Sequence, residues 1–468
     1  MKIRFVTLGC KLNFAESSAI GKALLQRGHT RAKQGEEADI CVINTCSVTD
    51  NADHKDRQTI HRIHRQNPNA IIIVTGCYAQ LQPEQIAQIE GVDYVLGQNE
   101  KYDIPALVQA LESDVTKATM GRSQSELLDA PMELLARGDE AIRREAEVSV
   151  CAIREVEEFH GAYSKDDRTR CFLKVQDGCN YFCTYCTIPY ARGKSRNPKI
   201  EEVVKDAQEA ISQGAKEIIL TGVNIGDFGR STGEAFIDLL KALDNLGERA
   251  PHEVTNFVGD PAEAIRREAK GMDYRIRISS CEPNLLTDEI IDFVAQSKHF
   301  APHFHIPLQS GSNEVLSIMK RRYTRELFEE RVQHIKQVMP HAFIGVDCMV
   351  GVRGETEECF SDYVDFIKRL DVSQLHVFTY SERANTRMLE LDVCIVPKAE
   401  RQRRSKILHE ISEEKTRTFY ANQTGREAIV LWESKKEGDQ MAGFTENYVK
   451  VHRPYDKAKV NTFEVIRL

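Results

Sequence analysis

Cys179-Asn-Tyr-Phe-Cys183-Thr-Tyr-Cys186 is the stretch from which the rest of the chain is read. Its three thiols fall within eight residues, just after an apolar, extended run at 171–176. Soft thiolates so spaced select zinc or iron–sulfur clusters over hard cations. A structural zinc takes four ligands, and the nearest histidines, His160 and His252, stand well away in sequence. A four-iron cluster normally takes four cysteines, so three leave one iron open to an exogenous ligand. Three buried core cysteines are the bland alternative.

This triplet resembles the signature of the radical S-adenosylmethionine (SAM) enzymes. The resemblance implies a four-iron cluster on Cys179, Cys183 and Cys186, with SAM chelated at the open iron through its amino and carboxylate groups. Electron transfer then cleaves SAM to a deoxyadenosyl radical. Such a radical removes hydrogen from unactivated carbon, which no side-chain base can do, so the cofactor carries the chemistry and the protein positions it.

Bulk properties set the frame. At 468 residues, 41% hydrophobic and 29% charged, the chain suits a soluble protein of about two to four domains. No apolar run approaches a membrane span, and residues 1–8 read as a first strand, not a signal peptide. The 13 cysteines are odd in number and partly clustered, which favours metal thiolates in the cytoplasm over a disulfide scaffold. A net charge of −8 does not itself point to nucleic acid. That leaves local basic stretches at 54–65, 192–199, 320–325 and 401–406, each of which reads equally well as a solvated face.

From residue 1 to 112, extended apolar runs at 3–8, 39–44, 70–75 and 94–96 alternate with helical patterns at 14–26, 50–65 and 83–89, the signature of a parallel α/β sheet. Cys10 follows the first run, Cys46 the second and Cys77 the third. Loops after parallel strands share one edge, so these three thiols are expected to converge; Cys41, inside a strand, is expected in the core. The words Thr7-Leu-Gly-Cys-Lys-Leu-Asn13, Asn44-Thr-Cys-Ser-Val-Thr49 and Val74-Thr-Gly-Cys-Tyr-Ala-Gln80 resemble the N-terminal domain of the methylthiotransferases, radical SAM enzymes. That likeness implies a second, auxiliary 4Fe–4S cluster on Cys10, Cys46 and Cys77. Residues 113–167 read as a linker. Part of it, 121–147, is charged and helix-prone, and its Glu140-Ala-Ile-Arg-Arg-Glu-Ala146 recurs at 263–269; both copies are expected to be surface helices.

Between 168 and 398, six extended runs separated by helical patterns predict an open partial (βα)6 barrel, short of the eight units that close one. Polar or Gly-rich words follow the strands. The Thr221-Gly222-Val-Asn224 turn is a candidate for backbone approach to the methionine part of SAM, Ser280 and Glu282 for its ribose, and Gln309 and Ser310 for further contacts. Gly178-Cys-Asn-Tyr-Phe-Cys-Thr-Tyr-Cys-Thr-Ile-Pro-Tyr-Ala-Arg-Gly193 and His305-Ile-Pro-Leu-Gln-Ser-Gly-Ser312 are similar to methylthiotransferase motifs. By that likeness Tyr185 lies near the adenine of SAM. Three features depart from the family: Gly351-Val-Arg-Gly-Glu-Thr356, Cys281, and an apparent insertion at 247–271.

A charged helix at 399–424 leads to 425–468, where short strands resemble the TRAM domain, a small oligonucleotide-binding β-barrel. Lys450, Arg453, Lys457 and Lys459 are candidate grips there, with Tyr448 or Tyr455 as stacking faces and Trp432 in the core. Taken together, the chain resembles methylthiotransferases acting on carbon 2 of N6-threonylcarbamoyladenosine at tRNA position 37. The resemblance implies two SAM molecules, two 4Fe–4S clusters, a tRNA anticodon stem-loop, a separate sulfur donor and reductant, and a monomer. Two alternatives remain: the same chemistry on isopentenyladenosine or on a ribosomal-protein aspartate, and a non-catalytic zinc-stabilised RNA-binding protein.

Overall fold

The computed structural model describes residues 1–33, 35–119, 145–164, 169–246 and 272–468. The inserted stretch at 247–271 and the two copies of the repeated heptapeptide, apart from Glu145 and Ala146, lie outside them. Contacts divide the chain into two compact units: Met1–Ser164 with Gly178–Asn180 and Cys186–Lys194, and Lys165–Asp177 with Tyr181–Tyr185 and Ser195–Leu468.

In the first unit, six parallel strands run β1 (Lys2–Thr7), β2 (Thr30–Arg31), β3 (Ile40–Thr45), β4 (Ile71–Gly76), β5 (Tyr94–Leu96) and β6 (Glu147–Ser149), in the spatial order β2-β1-β3-β4-β5-β6. Every residue of β3 and β4 is buried, as befits central strands covered on both faces. Ile43, Ile72 and Val74 pack with Ile60 and Ile63 on one face, and Val42 and Ile73 with Ile20, Leu24 and Val108 on the other. Cys41 is fully buried in the first of these cores, and burial pushes its thiol up to about 11. The helix Asp50–Gln66 starts cleanly because the Thr49 side chain accepts the Ala52 N–H at 3.2 Å. Two strands of this unit, β2 and β6, escaped the sequence reading; β6 lies in the stretch read as a linker and adds to the sheet beside β5.

In the second unit, β7 (Arg170–Lys174), β8 (Glu217–Thr221) and β9 (Arg275–Ile278) form one parallel sheet, and β10 (His303–Gln309), β11 (Phe343–Val350) and β12 (Gln374–Thr379) a second. A parallel bridge between Ser280 and His305 links the two, giving the expected row of six. Thr324 and Thr356 cap their helices, accepting the Leu327 and Cys359 N–H groups. The helix Lys398–Ala421 packs on β12, where Ser412 Oγ both donates to and accepts from the backbone of Leu375.

The chain ends in a small antiparallel sheet: β13 (Glu427–Glu437), β14 (Gln440–Thr445), β15 (Lys450–Pro454) and β16 (Phe463–Arg467), ordered β15-β14-β13-β16. A register shift between Trp432 and Lys436 bends β13, and side chains from both edge strands, Val451 and Ile466, meet the buried Trp432. The sheet joins β8 and β9 through buried charge. Arg275 donates to Glu217 at 2.7 Å and to the carbonyl oxygens of Ile429 and Phe444 at 3.1 and 3.2 Å. Arg277 donates to Glu217 at 3.0 Å and to the Glu446 carbonyl at 3.0 Å. Glu217 is fully buried, yet the two guanidinium groups hold its carboxyl far below the usual carboxylate range.

Glu217→Gln leaves two buried guanidiniums without their counter-charge and is expected to cost about 3–5 kcal/mol, lowering the urea unfolding midpoint. Because the folded-state value is depressed, the stabilisation is present above the unfolded glutamate value of about 4.3 and lost as pH falls through the folded one. The gap between wild type and variant therefore stays constant above about pH 5 and narrows in acid; a pH-independent gap contradicts this assignment.

Candidate active site

The strands β1, β3 and β4 lie side by side, and the three N-terminal cysteines follow their C-terminal ends. Cys10 immediately precedes the helix Lys11–Gln26, Cys46 directly follows β3, and Cys77 opens the helix Cys77–Leu81. The loops touch. A Cβ on Gly9, at φ +96°, would lie 2.6 Å from Cys46 Cβ, and one on Gly76, at φ +102°, would lie 2.4 Å from the Thr45 carbonyl oxygen. Only glycine fits both requirements. Burial, then the proximity of Cys77 and Cys10, pushes the Cys46 thiol up to about 12. Cys77 is also raised by burial, opposed by the nearby charges of Arg192 and Lys101. Among the described residues, no three Cys, His, Asp or Glu side chains are grouped to hold a single metal ion. A four-iron cube differs in giving each thiolate its own iron.

Behind this trio stands a buried charged bracket that the sequence reading missed. Arg192 donates to Asn13 Oδ1 at 2.6 Å and to Glu16 Oε1 at 3.0 Å; Lys101 pairs with Glu16 Oε2 at 2.8 Å. Asn13 in turn donates to the carbonyls of Leu8 and Thr45 at 2.8 and 2.9 Å, tying the first loop to the second. Gln98, which accepts from Lys101, donates to Cys77 Sγ at 3.6 Å. Two cations facing one carboxylate leave excess positive charge beside the thiols. On the other side, the Cys46 N–H donates to Asp56 at 2.8 Å, and burial pushes that carboxyl up to about 7.

Of the central triplet, Cys179 and Cys186 belong to the first unit and Cys183 to the second. In the first unit, the Cys179 N–H donates to the Gly193 carbonyl at 3.0 Å, and Cys186 Sγ accepts from the Ile188 N–H at 3.4 Å. In the second, Arg321 organises the surroundings of Cys183. It donates to Cys183 Sγ at 3.1 Å, to the Tyr185 hydroxyl at 3.5 Å and to the Tyr323 hydroxyl at 3.1 Å, and it pairs with Glu282.

The strand-end residues singled out from sequence divide into two sets. Asn224 is buried with both amide atoms lacking a hydrogen bond, and Gln309 Oε1 is likewise orphaned on a backbone at φ +64°. Buried polar atoms without partners are costly, and these two offer a donor and two acceptors to a polar ligand such as SAM. The others are already engaged. The Thr221 hydroxyl donates to the Ile219 carbonyl at 3.3 Å, and Ser310 Oγ accepts the Ser312 N–H at 3.2 Å. Glu282 pairs with Arg321 through one carboxylate oxygen. Gly222 is forced by close approach to Gln176, whose Oε1 accepts both following N–H groups at 2.9 and 2.8 Å, so those groups do not face a ligand. Ser280 is half-buried at the bridge to His305.

The C-terminal grips also need correction. Tyr448 packs against Phe444, His303 and Phe343, with its hydroxyl accepting from Arg170 at 3.2 Å, so it offers no free stacking face. Lys450 pairs with Glu437, and Arg453 and Lys459 with Glu464. Tyr455 remains exposed.

Residues 2–97 match Uncharacterized protein family UPF0004, and residues 173–367 match the Radical SAM superfamily. A solved radical S-adenosylmethionine methyltransferase, TsrM from Kitasatospora setae with cobalamin and a [4Fe-4S] cluster bound, superposes with a TM-score of 0.50 at 16% identity, covering 81% of this chain and 74% of that one. The molecule is thus a radical SAM enzyme, with SAM and 4Fe–4S as its cofactor chemistry. The curated threonylcarbamoyladenosine tRNA methylthiotransferases MtaB of Bacillus subtilis and Aquifex aeolicus are 35% and 34% identical over 96% and 97% of this chain, and 89% and 97% of theirs. The tRNA-2-methylthio-N(6)-dimethylallyladenosine synthase of Pelotomaculum thermopropionicum is 29% identical over 95% of the chain and 88% of its own. The chain belongs to the tRNA methylthiotransferase family that includes the MtaB proteins. Family membership removes the zinc-stabilised, non-catalytic alternative.

Gly76→Ala, next in sequence to Cys77, places a Cβ 2.4 Å from the carbonyl oxygen and 2.6 Å from the nitrogen of Thr45, itself next in sequence to Cys46. Strain of about 1–3 kcal/mol is expected, with faster labelling of the buried Cys46 and Cys77 thiols by a thiol reagent in the cluster-free protein. Labelling rates equal to wild type would show that the glycine is dispensable.

Proposed function

We propose that this enzyme methylthiolates carbon 2 of N6-threonylcarbamoyladenosine at position 37 of tRNA, in the cytoplasm, using two SAM molecules and two 4Fe–4S clusters. Cys179, Cys183 and Cys186 would hold the cluster that binds SAM; Cys10, Cys46 and Cys77 would hold the auxiliary one. The observation that carries the reading is the meeting of Cys10, Cys46 and Cys77 at one sheet edge beside buried positive charge, a donor set suited to a negatively charged iron–sulfur thiolate cluster. The substrate rests on near full-length similarity to relatives bearing that name.

When bound, the cofactors supply radical chemistry for an aromatic C–H of no useful acidity. The chain's own groups hold and orient. Asn224 and Gln309 present unpartnered polar atoms for SAM, and Tyr185 an aromatic face. Arg321 fixes the positions of Cys183 and Glu282. Arg192 and Lys101 set a standing positive field at Cys77, with Asn13 keeping the Cys10 and Cys46 loops in register. A target base in the anticodon loop is already unpaired, so presenting it avoids the few kcal/mol of opening a base pair.

Anaerobic reconstitution of the wild type should give about eight irons. Replacing Cys10, Cys46 and Cys77 together with alanine should leave about four, retain SAM-derived 5′-deoxyadenosine and abolish methylthio product. Replacing Cys179, Cys183 and Cys186 should leave the other four and abolish both. Mass spectrometry of tRNA nucleosides from a deletion strain reads the substrate: 2-methylthio-threonylcarbamoyladenosine should vanish. Its persistence with loss of the dimethylallyl counterpart would transfer the assignment to that tRNA.

A further inference from the structure

Most of the basic stretches visible in the sequence are consumed by carboxylates. Arg192 is spent on Glu16, Arg196 on Asp177, Arg321 on Glu282, Arg325 on Asp362, Arg403 on Glu400 and Arg404 on Glu355. The stretch at 54–65 is different. Lys55, Arg62 and Arg65 are exposed on the helix Asp50–Gln66 and have no carboxylate partner among the described residues.

Helical geometry separates two faces here. Asp53, Asp56, Ile60 and Ile63 are buried, while Lys55, Gln58, Arg62 and Arg65, each two positions further on, are exposed. Two positions are about 200° of turn, so the sets lie on opposite sides. The helix's interior acids are used inward: Asp53 accepts from Ser47 at 2.8 Å and Asp56 from the Cys46 N–H at 2.8 Å. Its apolar residues are in the sheet's core, which leaves no apolar face to enter a lipid surface. The outward stripe from Lys55 to Arg65 extends about 15 Å. It flanks a groove of about 720 Å³ lined by Leu8, Gln58, Thr59, His61 and the three cations, with no carboxylate among the lining residues. Leu8 is two residues before Cys10, so the groove opens beside the cysteine edge.

We propose that this groove is where the phosphate backbone of the tRNA anticodon stem-loop lies, with Lys55, Arg62 and Arg65 neutralising phosphates and Gln58 and His61 supplying neutral polar contacts. The assignment rests on the tRNA reading above and extends it to a surface outside the C-terminal sheet. The fit is electrostatic and independent of base sequence. A long cationic stripe with its acids turned inward suits a polyanion, and in a chain of net charge −8 it would steer that polyanion to the thiol edge.

The test is salt-dependent binding of a synthetic anticodon stem-loop RNA to the full-length, anaerobically reconstituted protein, comparing wild type with Lys55→Gln/Arg62→Gln/Arg65→Gln. Each lost phosphate contact removes about 0.7–0.9 from the slope of log K against log salt, so the triple variant should be shallower by about 2–3 and bind more weakly at low salt. Iron content and melting temperature verify that the variant is folded; if it is not, the Arg62→Gln and Arg65→Gln single variants should each lose about one unit of slope. Wild-type binding with an unchanged slope in the variants overturns the groove assignment while leaving the tRNA reading intact. Failure of the wild type to bind the RNA overturns both, and that outcome is recognised without the variants.

Discussion

In a parallel sheet every strand leaves by the same edge, and that constraint is what brings together thiols tens of residues apart in sequence. Cys10, Cys46 and Cys77 need no shared local motif, because β1, β3 and β4 are neighbours whose exits are adjacent. The backbone then brings those exits closer. Gly9 and Gly76 adopt conformations that a side chain would obstruct, and Asn13 holds two loop carbonyls with one amide. The position of the thiols is therefore a property of the sheet, transmitted through two glycines and one asparagine.

A second pattern recurs wherever charge is buried. Glu16 sits between Arg192 and Lys101, Glu217 between Arg275 and Arg277, and Glu282 against Arg321. Buried ion pairs add little net stability after desolvation, although removing one partner is costly. Their value lies more in fixing positions and fields. The first group stands by Cys77 and the third by Cys183, where the arginine and lysine charges oppose the burial that raises both thiols; the second binds the C-terminal sheet to the strands beside it.

The regular strands were legible because their patterns are local. The runs at 3–8, 39–44 and 70–75 became β1, β3 and β4 with a shift of one residue, and the six parallel strands of the second unit appeared in the expected order. The elements that went unseen carry weak signals: β2 has two residues, β6 is the exposed Glu-Val-Ser, and β14 contains Ala and Gly. At the site, cysteine spacing could be read directly from sequence. The partners of Glu282 and Tyr448 could not, since each is decided by a residue far away in the chain, Arg321 and Arg170 respectively. The same holds for Arg192, Lys101 and Glu16. As isolated letters they look like solvated charges, and only the fold makes them neighbours. Among the candidate SAM contacts, Asn224 and Gln309 differ from Thr221 and Ser310 in one respect invisible to sequence, namely whether a nearby backbone group already satisfies them.

The most direct measurement is a crystal structure of the anaerobically reconstituted enzyme with iron located by anomalous scattering. The account predicts a four-iron cluster bonded to the sulfurs of Cys10, Cys46 and Cys77, in addition to one on Cys179, Cys183 and Cys186. Iron on the second trio alone, with the first trio free or holding zinc, would contradict it.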